Sequence, residues 1–68
     1  MEPNEIFELI IKADERLKYA TPDKAEARAG QARELLTQAR REAEAIANAG
    51  LVEQAERRLA DLDALGGS

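Results

Sequence analysis

The sequence predicts an all-α protein, a three-helix antiparallel helical hairpin or bundle with a long central helix. Three observations carry that prediction. The composition is dominated by Ala, Glu, Arg and Leu, which are strong helix formers. A single valine and two aromatic residues, Phe7 and Tyr19, leave little material for a sheet. Apolar residues recur at alternating spacings of four and three along three segments, the period of an amphipathic helix.

Helix 1 is expected from near Asn4 to about Tyr19. Pro3 or Asn4 supplies the start, and Glu2, Glu5 and Glu8 suit the positive end of the helix dipole. Its stripe is Ile6, Ile10, Ala13, Leu17 and Ala20. Phe7 and Ile11 widen the stripe on one side, and Leu9 lies off it. One neighbouring helix does not cover so broad a face, which points to two neighbours or a second subunit.

Helix 2 is expected to open at "TPDK", with Thr21 as cap, Pro22 at the first helical position and Asp23 favouring the dipole. No breaker except Gly30 follows until Gly50. The helix then runs about 28 residues, or roughly 42 Å. Its stripe is Ala25, Ala29, Ala32, Leu36, Ala39, Ala43 and Ile46, and that sustained period favours coiled-coil-like antiparallel packing. Gly30 marks either a close helix approach or a defect of about 1 kcal/mol.

Helix 3 is expected from Leu51 to about Leu65. Val52, Ala55, Leu59 and Leu62 form its stripe, Leu51 and Leu65 lie at the margins, and Gly66 and Gly67 supply the stop. Helices 1 and 3 would each span about 24 Å, far less than helix 2. Either helix 2 protrudes, or its two halves are covered in a staggered arrangement that leaves apolar flanks open.

Gly50 is expected to end helix 2 in the left-handed conformation, with helix 3 following at once. Ala43, Ile46, Gly50, Ala55 and Leu59 stand at the separations found in a tetratricopeptide repeat, and residues 39 to 62 resemble that family. Ile46 and Leu59 occupy positions where the family usually has tyrosine and phenylalanine, and no proline closes the unit. A shift of 30 residues gives a faint internal echo, aligning Ala13 with Ala43, Ala25 with Ala55 and Arg28 with Arg58. The resemblance implies a TPR-like helical hairpin with a peptide-binding groove, on whose face Arg40, Glu44 and Asn48 would fall. A solenoid normally needs about three repeats, so stacking on another copy would complete this core.

Residues 1 to 65 make one helical domain, and 66 to 68, "GGS", read as a flexible tail or an added linker. A chain of 68 residues buries only about 60% of its unfolded surface and usually needs a staple. Cysteine and histidine are both absent, so neither a disulfide nor a thiolate or imidazole metal site is available, and oligomerisation remains. No cofactor is expected. The acidic residues flank the stripes rather than face inward, so neither a carboxylate metal site nor an acid–base centre is expected, and the chain does not read as an enzyme.

The net charge of −4 disfavours nucleic acid, although Arg40-Arg41 and Arg57-Arg58 are candidate basic pairs or merely solvated faces. No apolar run reaches the ~18 residues of a membrane span, so no membrane partner is expected. "MEPNEIFELII" has no basic n-region, and the cytoplasm is the default location. Tyr19 reads as a cap on the core with a wet hydroxyl, or as a binding aromatic. These observations favour a protein–protein interaction module, a small helical adaptor or assembly domain that self-associates through Ile6, Phe7, Ile10 and Ile11. The rival readings are a small antitoxin-like regulator touching nucleic acid through its arginine pairs, and an engineered or excised scaffold.

Overall fold

The computed structural model describes residues 1–66, with the backbone alone at 65 and 66. Three helices follow in order: α1 Pro3–Lys18, α2 Ala25–Ala45 and α3 Ala49–Gly66. The expected positions of Leu65 at the α3 margin and of Gly67 and Ser68 in a terminal tail lie outside the described residues. The backbone of Gly66 is still helical, so it does not stop the helix as expected.

Interhelical ion pairs fix the directions of the helices. The Met1 amine lies 3.9 Å from Glu42 near the end of α2, and Arg33 early in α2 lies 2.6 Å from Asp63 late in α3. Arg58 in the second half of α3 meets Asp14 in the second half of α1. So α2 runs antiparallel to both neighbours, and α1 runs parallel to α3. Helix α2 packs extensively on both, whereas α1 and α3 touch each other only narrowly. The result is an elongated body with extents of 37 × 20 × 13 Å, whose seam between α1 and α3 is open.

The start of α1 follows from its sequence. Pro3 occupies the first helical position, where its missing N–H costs nothing. The Glu5 carboxylate accepts the Glu2 backbone N–H at 2.9 Å, and the carboxylate sits at the positive end of the dipole. Arg16 and Lys18 complement the other end.

The core consists of Ile6, Ile10 and Ala13 from α1, Ala32, Leu36, Ala39 and Ala43 from α2, and Leu51, Ala55 and Leu62 from α3. Alanine supplies most of what α2 buries, and small knobs bring the axes close while burying little area each. The α2 stripe is therefore in place from Ala32 to Ala43. Its outer members depart from the expectation: Ala25 is exposed, Ala29 is half-buried, and Ile46 is the C-cap, 38% exposed.

Helix α2 is shorter than expected at both ends. Thr21 does not cap it. Its carbonyl instead accepts the Lys24 N–H at 2.9 Å, so Pro22 and Asp23 form the centre of a turn that precedes the helix. The helix has 21 residues, about 32 Å, against 16 for α1 and 18 for α3, so the expected length mismatch largely disappears.

The second boundary is a correction to the reading of Gly50. No described glycine has positive φ, and the left-handed residue is Ala47, with φ 54°. Ala47 N–H donates to the Glu44 carbonyl at 3.0 Å, and Asn48 N–H donates to the Ala43 carbonyl at 2.9 Å. Those two bonds make a Schellman motif with alanine at the position glycine usually takes. Asn48 then caps α3, its Oδ1 accepting the Leu51 N–H at 3.1 Å. Gly50 falls in the first turn of α3. The two closing bonds and the asparagine cap offset the roughly 1–2 kcal/mol that a left-handed alanine costs. Starting α3 at Ala49 also rotates it, so that Leu51 is buried while Val52 and Leu59 are only half-buried. Ala55 and Leu62 lie in the core as expected, Leu51 joins them from its expected place at the margin, and Val52, Arg58 and Leu59 are half-buried.

Among the described residues no helix is long and apolar enough to cross a membrane.

Candidate interaction surface

Helix α1 carries two apolar stripes, and the fold uses one. Ile6 and Ile10 are fully buried against α2 and α3, so they are core residues and are not available to a partner. Phe7 and Ile11 remain 43% and 37% exposed. They lie four residues apart, one above the other on a single face of the helix. The broad apolar face expected of α1 is thus divided into a satisfied inner half and an open outer half.

Asp14 orients that outer half. It follows Ile11 by three and Phe7 by seven residues, so it shares their flank. Its carboxylate accepts Arg58 Nε through both oxygens, at 3.0 and 3.1 Å. Arg58 also donates through its terminal nitrogen to the Gln54 carbonyl at 3.3 Å, which holds the guanidinium over the first half of the pair. The Phe7–Ile11 flank therefore borders the open seam between α1 and α3, with the Arg58–Asp14 pair at its far end. The half-buried arginine fixes the spacing of the two parallel helices where little apolar contact does so.

The sequence signal for this pair was available in the register of α3. Leu51, Ala55, Arg58 and Leu62 are spaced four, three and four, so Arg58 occupies a stripe position. A charged residue there needs an acid on a neighbouring helix. The expected stripe passed through Leu59 and left its neighbour Arg58 off it.

Arg40 and Glu44 pair with each other, and Asn48 turns to the start of α3. Arg40 Nε lies 3.6 Å from Glu44 Oε1, an exposed i,i+4 pair on α2. Asn48 is in the turn beyond that helix, with its side-chain oxygen engaged by the Leu51 N–H. The Arg57–Arg58 pair is also divided: Arg57 bonds Glu53 at 3.0 Å and Arg58 bonds Asp14, so the two cations serve different carboxylates.

Tyr19 does not cover the core, being 71% exposed with Lys18 Nζ 5.6 Å from its ring centre. Lys12, Arg16 and Arg28 line a shallow cleft beside it together with Glu15. A second apolar feature lies between the start of α2 and the ends of α1 and α3. Leu17, Ala20, Ala25, Ala29 and Leu62 line a groove of about 520 Å³, since the two alanines of α2 are too short to fill the space.

Comparison of the chain with protein-family models, with curated proteins and with solved structures returns no match.

Proposed function

We propose that the protein is a small helical interaction module that binds other protein surfaces, its own copy first, through the outer flank of α1. The observation that carries the reading is the pair Phe7 and Ile11, large side chains exposed side by side on a helix whose inner residues are already fully buried. Covering the two would contribute roughly 1–3 kcal/mol before the entropy of association is subtracted. An association of that size is reversible and concentration-dependent, as suits an adaptor.

The TPR-like form of this reading, an extended peptide laid along Arg40, Glu44 and Asn48, is the weaker one. The turn falls at Ala47 rather than Gly50, three residues from its place in the resemblance, and Asn48 is engaged in capping. The proposed setting is the cytoplasm, where a chain without cysteine loses nothing to the reducing conditions.

Light scattering across a dilution series tests the proposal. We expect the mass to rise above the 7.5 kDa of one chain as the concentration approaches millimolar, since a micromolar complex would need about 8 kcal/mol net, and the melting temperature to rise with it. Phe7→Glu is expected to remain at the single-chain mass with unchanged helicity. A single-chain mass at every concentration, with a melt that does not move, would overturn self-association.

A further inference from the structure

We infer that the cleft beside Tyr19 binds a nucleotide, with its phosphates among Lys12, Arg16 and Arg28 and its base against the tyrosine ring. The cleft lies on another face of α1 than Phe7 and Ile11, so the inference does not depend on the reading of that flank. Lys12, Arg16 and Tyr19 follow one another at spacings of four and three and share one side of the helix. Arg28, half-buried at the start of α2, stands across from them over a cleft of about 440 Å³. Most of the other arginines are neutralised: Arg33, Arg40, Arg57 and Arg58 each have a carboxylate partner. Lys12, Arg16 and Arg28 have no ion pair among the described residues, and neither do Lys18 and Lys24 at the edges of the cleft. Arg16 and Lys18 suit the C-terminal end of the α1 dipole, but the other three have no such account. Lys12 and Arg16 are like charges one turn apart, as are Lys24 and Arg28, and such pairs weaken a helix. Lys24 is also the N-cap of α2, where the dipole is positive and disfavours a cation. An anion held between the helices relieves the repulsion on both sides.

The acids around the cleft choose the ligand. Glu15 lines it among the described residues. Glu8 stands one turn before Lys12, Asp23 adjoins Lys24, and Glu34 shares with Arg16 the next depression along α2. Asp14 is turned to Arg58, and Glu26 lines the apolar groove by Leu62. The positive ground is therefore short and fenced by acid along both helices. A nucleic acid strand or an acidic peptide would run from the cations onto Glu8 or Glu34. A compact anion stays inside the fence. Two guanidinium groups offer forked donors that match phosphate oxygens, and Lys12 adds a point charge. Free phosphate would use the cations alone, yet Tyr19 presents its ring to the same cleft, 71% exposed and covering no core. A base stacks on such a ring whatever its identity. Glu15 precedes Tyr19 by one turn, where its carboxylate accepts a ribose hydroxyl or a base amino group.

Titration of adenosine diphosphate into the isotopically labelled full chain, followed by amide chemical shifts, tests the inference. We expect saturable shifts centred on Lys12, Arg16, Tyr19 and Arg28, with affinity falling at least threefold between about 20 and 150 mM salt as the charges are screened. Arg16→Gln and Arg28→Gln should each raise the Kd at least fivefold. Arg41→Gln removes an exposed cation of α2 outside the cleft, also without an ion pair among the described residues, and should leave the Kd unchanged. All these positions are outside the core, and circular dichroism confirms that each variant keeps its helices. Tyr19→Ala should weaken adenosine diphosphate to the level of inorganic diphosphate and leave inorganic diphosphate itself unaffected. Absence of saturable shifts at millimolar nucleotide and low salt would overturn the inference. An equal loss in Arg41→Gln and Arg16→Gln would also overturn it, since diffuse attraction then replaces a site. Equal affinity of the unmodified chain for adenosine diphosphate and inorganic diphosphate would remove the base and leave an anion site alone, against the nucleotide. Tighter binding of a short single-stranded oligonucleotide or a polyglutamate peptide than of adenosine diphosphate would overturn the compact site in favour of an extended polyanion. None of these outcomes alters the mass measurement that tests the Phe7–Ile11 flank.

Discussion

The Asn48 amide reaches back to the Ala43 carbonyl at 2.9 Å, while the Asn48 side chain reaches forward to the Leu51 amide at 3.1 Å. One residue thus closes α2 and opens α3. The bond to Ala43 is possible only because Ala47, between them, takes a left-handed conformation. The tightness of the α2–α3 hairpin therefore rests on an alanine held in strain and an asparagine used twice.

Ala47→Gly should relieve that strain. Glycine adopts φ 54° without a Cβ clash, so a gain of about 0.5–1 kcal/mol is expected after the added flexibility of the unfolded chain is deducted. Asn48→Ala should lose about 1 kcal/mol by leaving the Leu51 amide without its cap. Denaturant midpoints of both variants, at unchanged slope, measure the effects. A loss of stability in Ala47→Gly would mean that Ala47 is not left-handed.

Gly30 and Gly50 make a second test, and its sign departs from the sequence-based reading. A left-handed Gly50 would make any side chain there costly. In the first turn of α3, a Cβ at Gly50 meets only Asn48 Oδ1, at 3.6 Å, an ordinary contact. At Gly30, exposed in the middle of α2, a Cβ meets nothing within 4 Å. Gly30→Ala should stabilise by about 0.5–1 kcal/mol and Gly50→Ala by a few tenths. Thermal melts would show both as upward shifts. A drop in the Gly50→Ala midpoint would return the turn to position 50.

Where the sequence was legible, one physical signal acted alone. The α1 stripe and the middle of α2 are amphipathic over many residues, and periodicity places Ile6, Ile10, Ala32, Leu36, Ala39 and Ala43 in the core without help from context. The turn was misplaced because two signals competed there. Glycine at 50 has the stronger local preference for left-handed geometry, but asparagine at 48 can satisfy two helix ends at once, and the bonds won. On α3 the expected stripe passed through Leu59 and not Arg58, which concealed Arg58 as the partner of Asp14. On α1, spacing put Ile6 and Ile10 on the inner stripe, but it did not decide whether a helix of the same chain also covers Phe7 and Ile11.

The alanine stripe of α2 supplies the last prediction. Ala39 and Ala43 are fully buried, and the helices on either side approach closely because nothing longer stands there. Leucine at 43 would add three carbons to a space bounded by both neighbours. The helix axes must then separate, or the new side chain must leave its preferred rotamer, at an expected cost on the order of 1–3 kcal/mol. Ala45 lies two residues on and faces solvent. Ala45→Leu should therefore stay within about 0.5 kcal/mol of the parent, since leucine is a helix former at an exposed position. The comparison holds the chemistry of the substitution constant and varies only the face of the helix. Paired urea melts would separate the two by more than 1 kcal/mol if the stripe packs as described. Equal midpoints would mean that α2 presents a different face to α1 and α3.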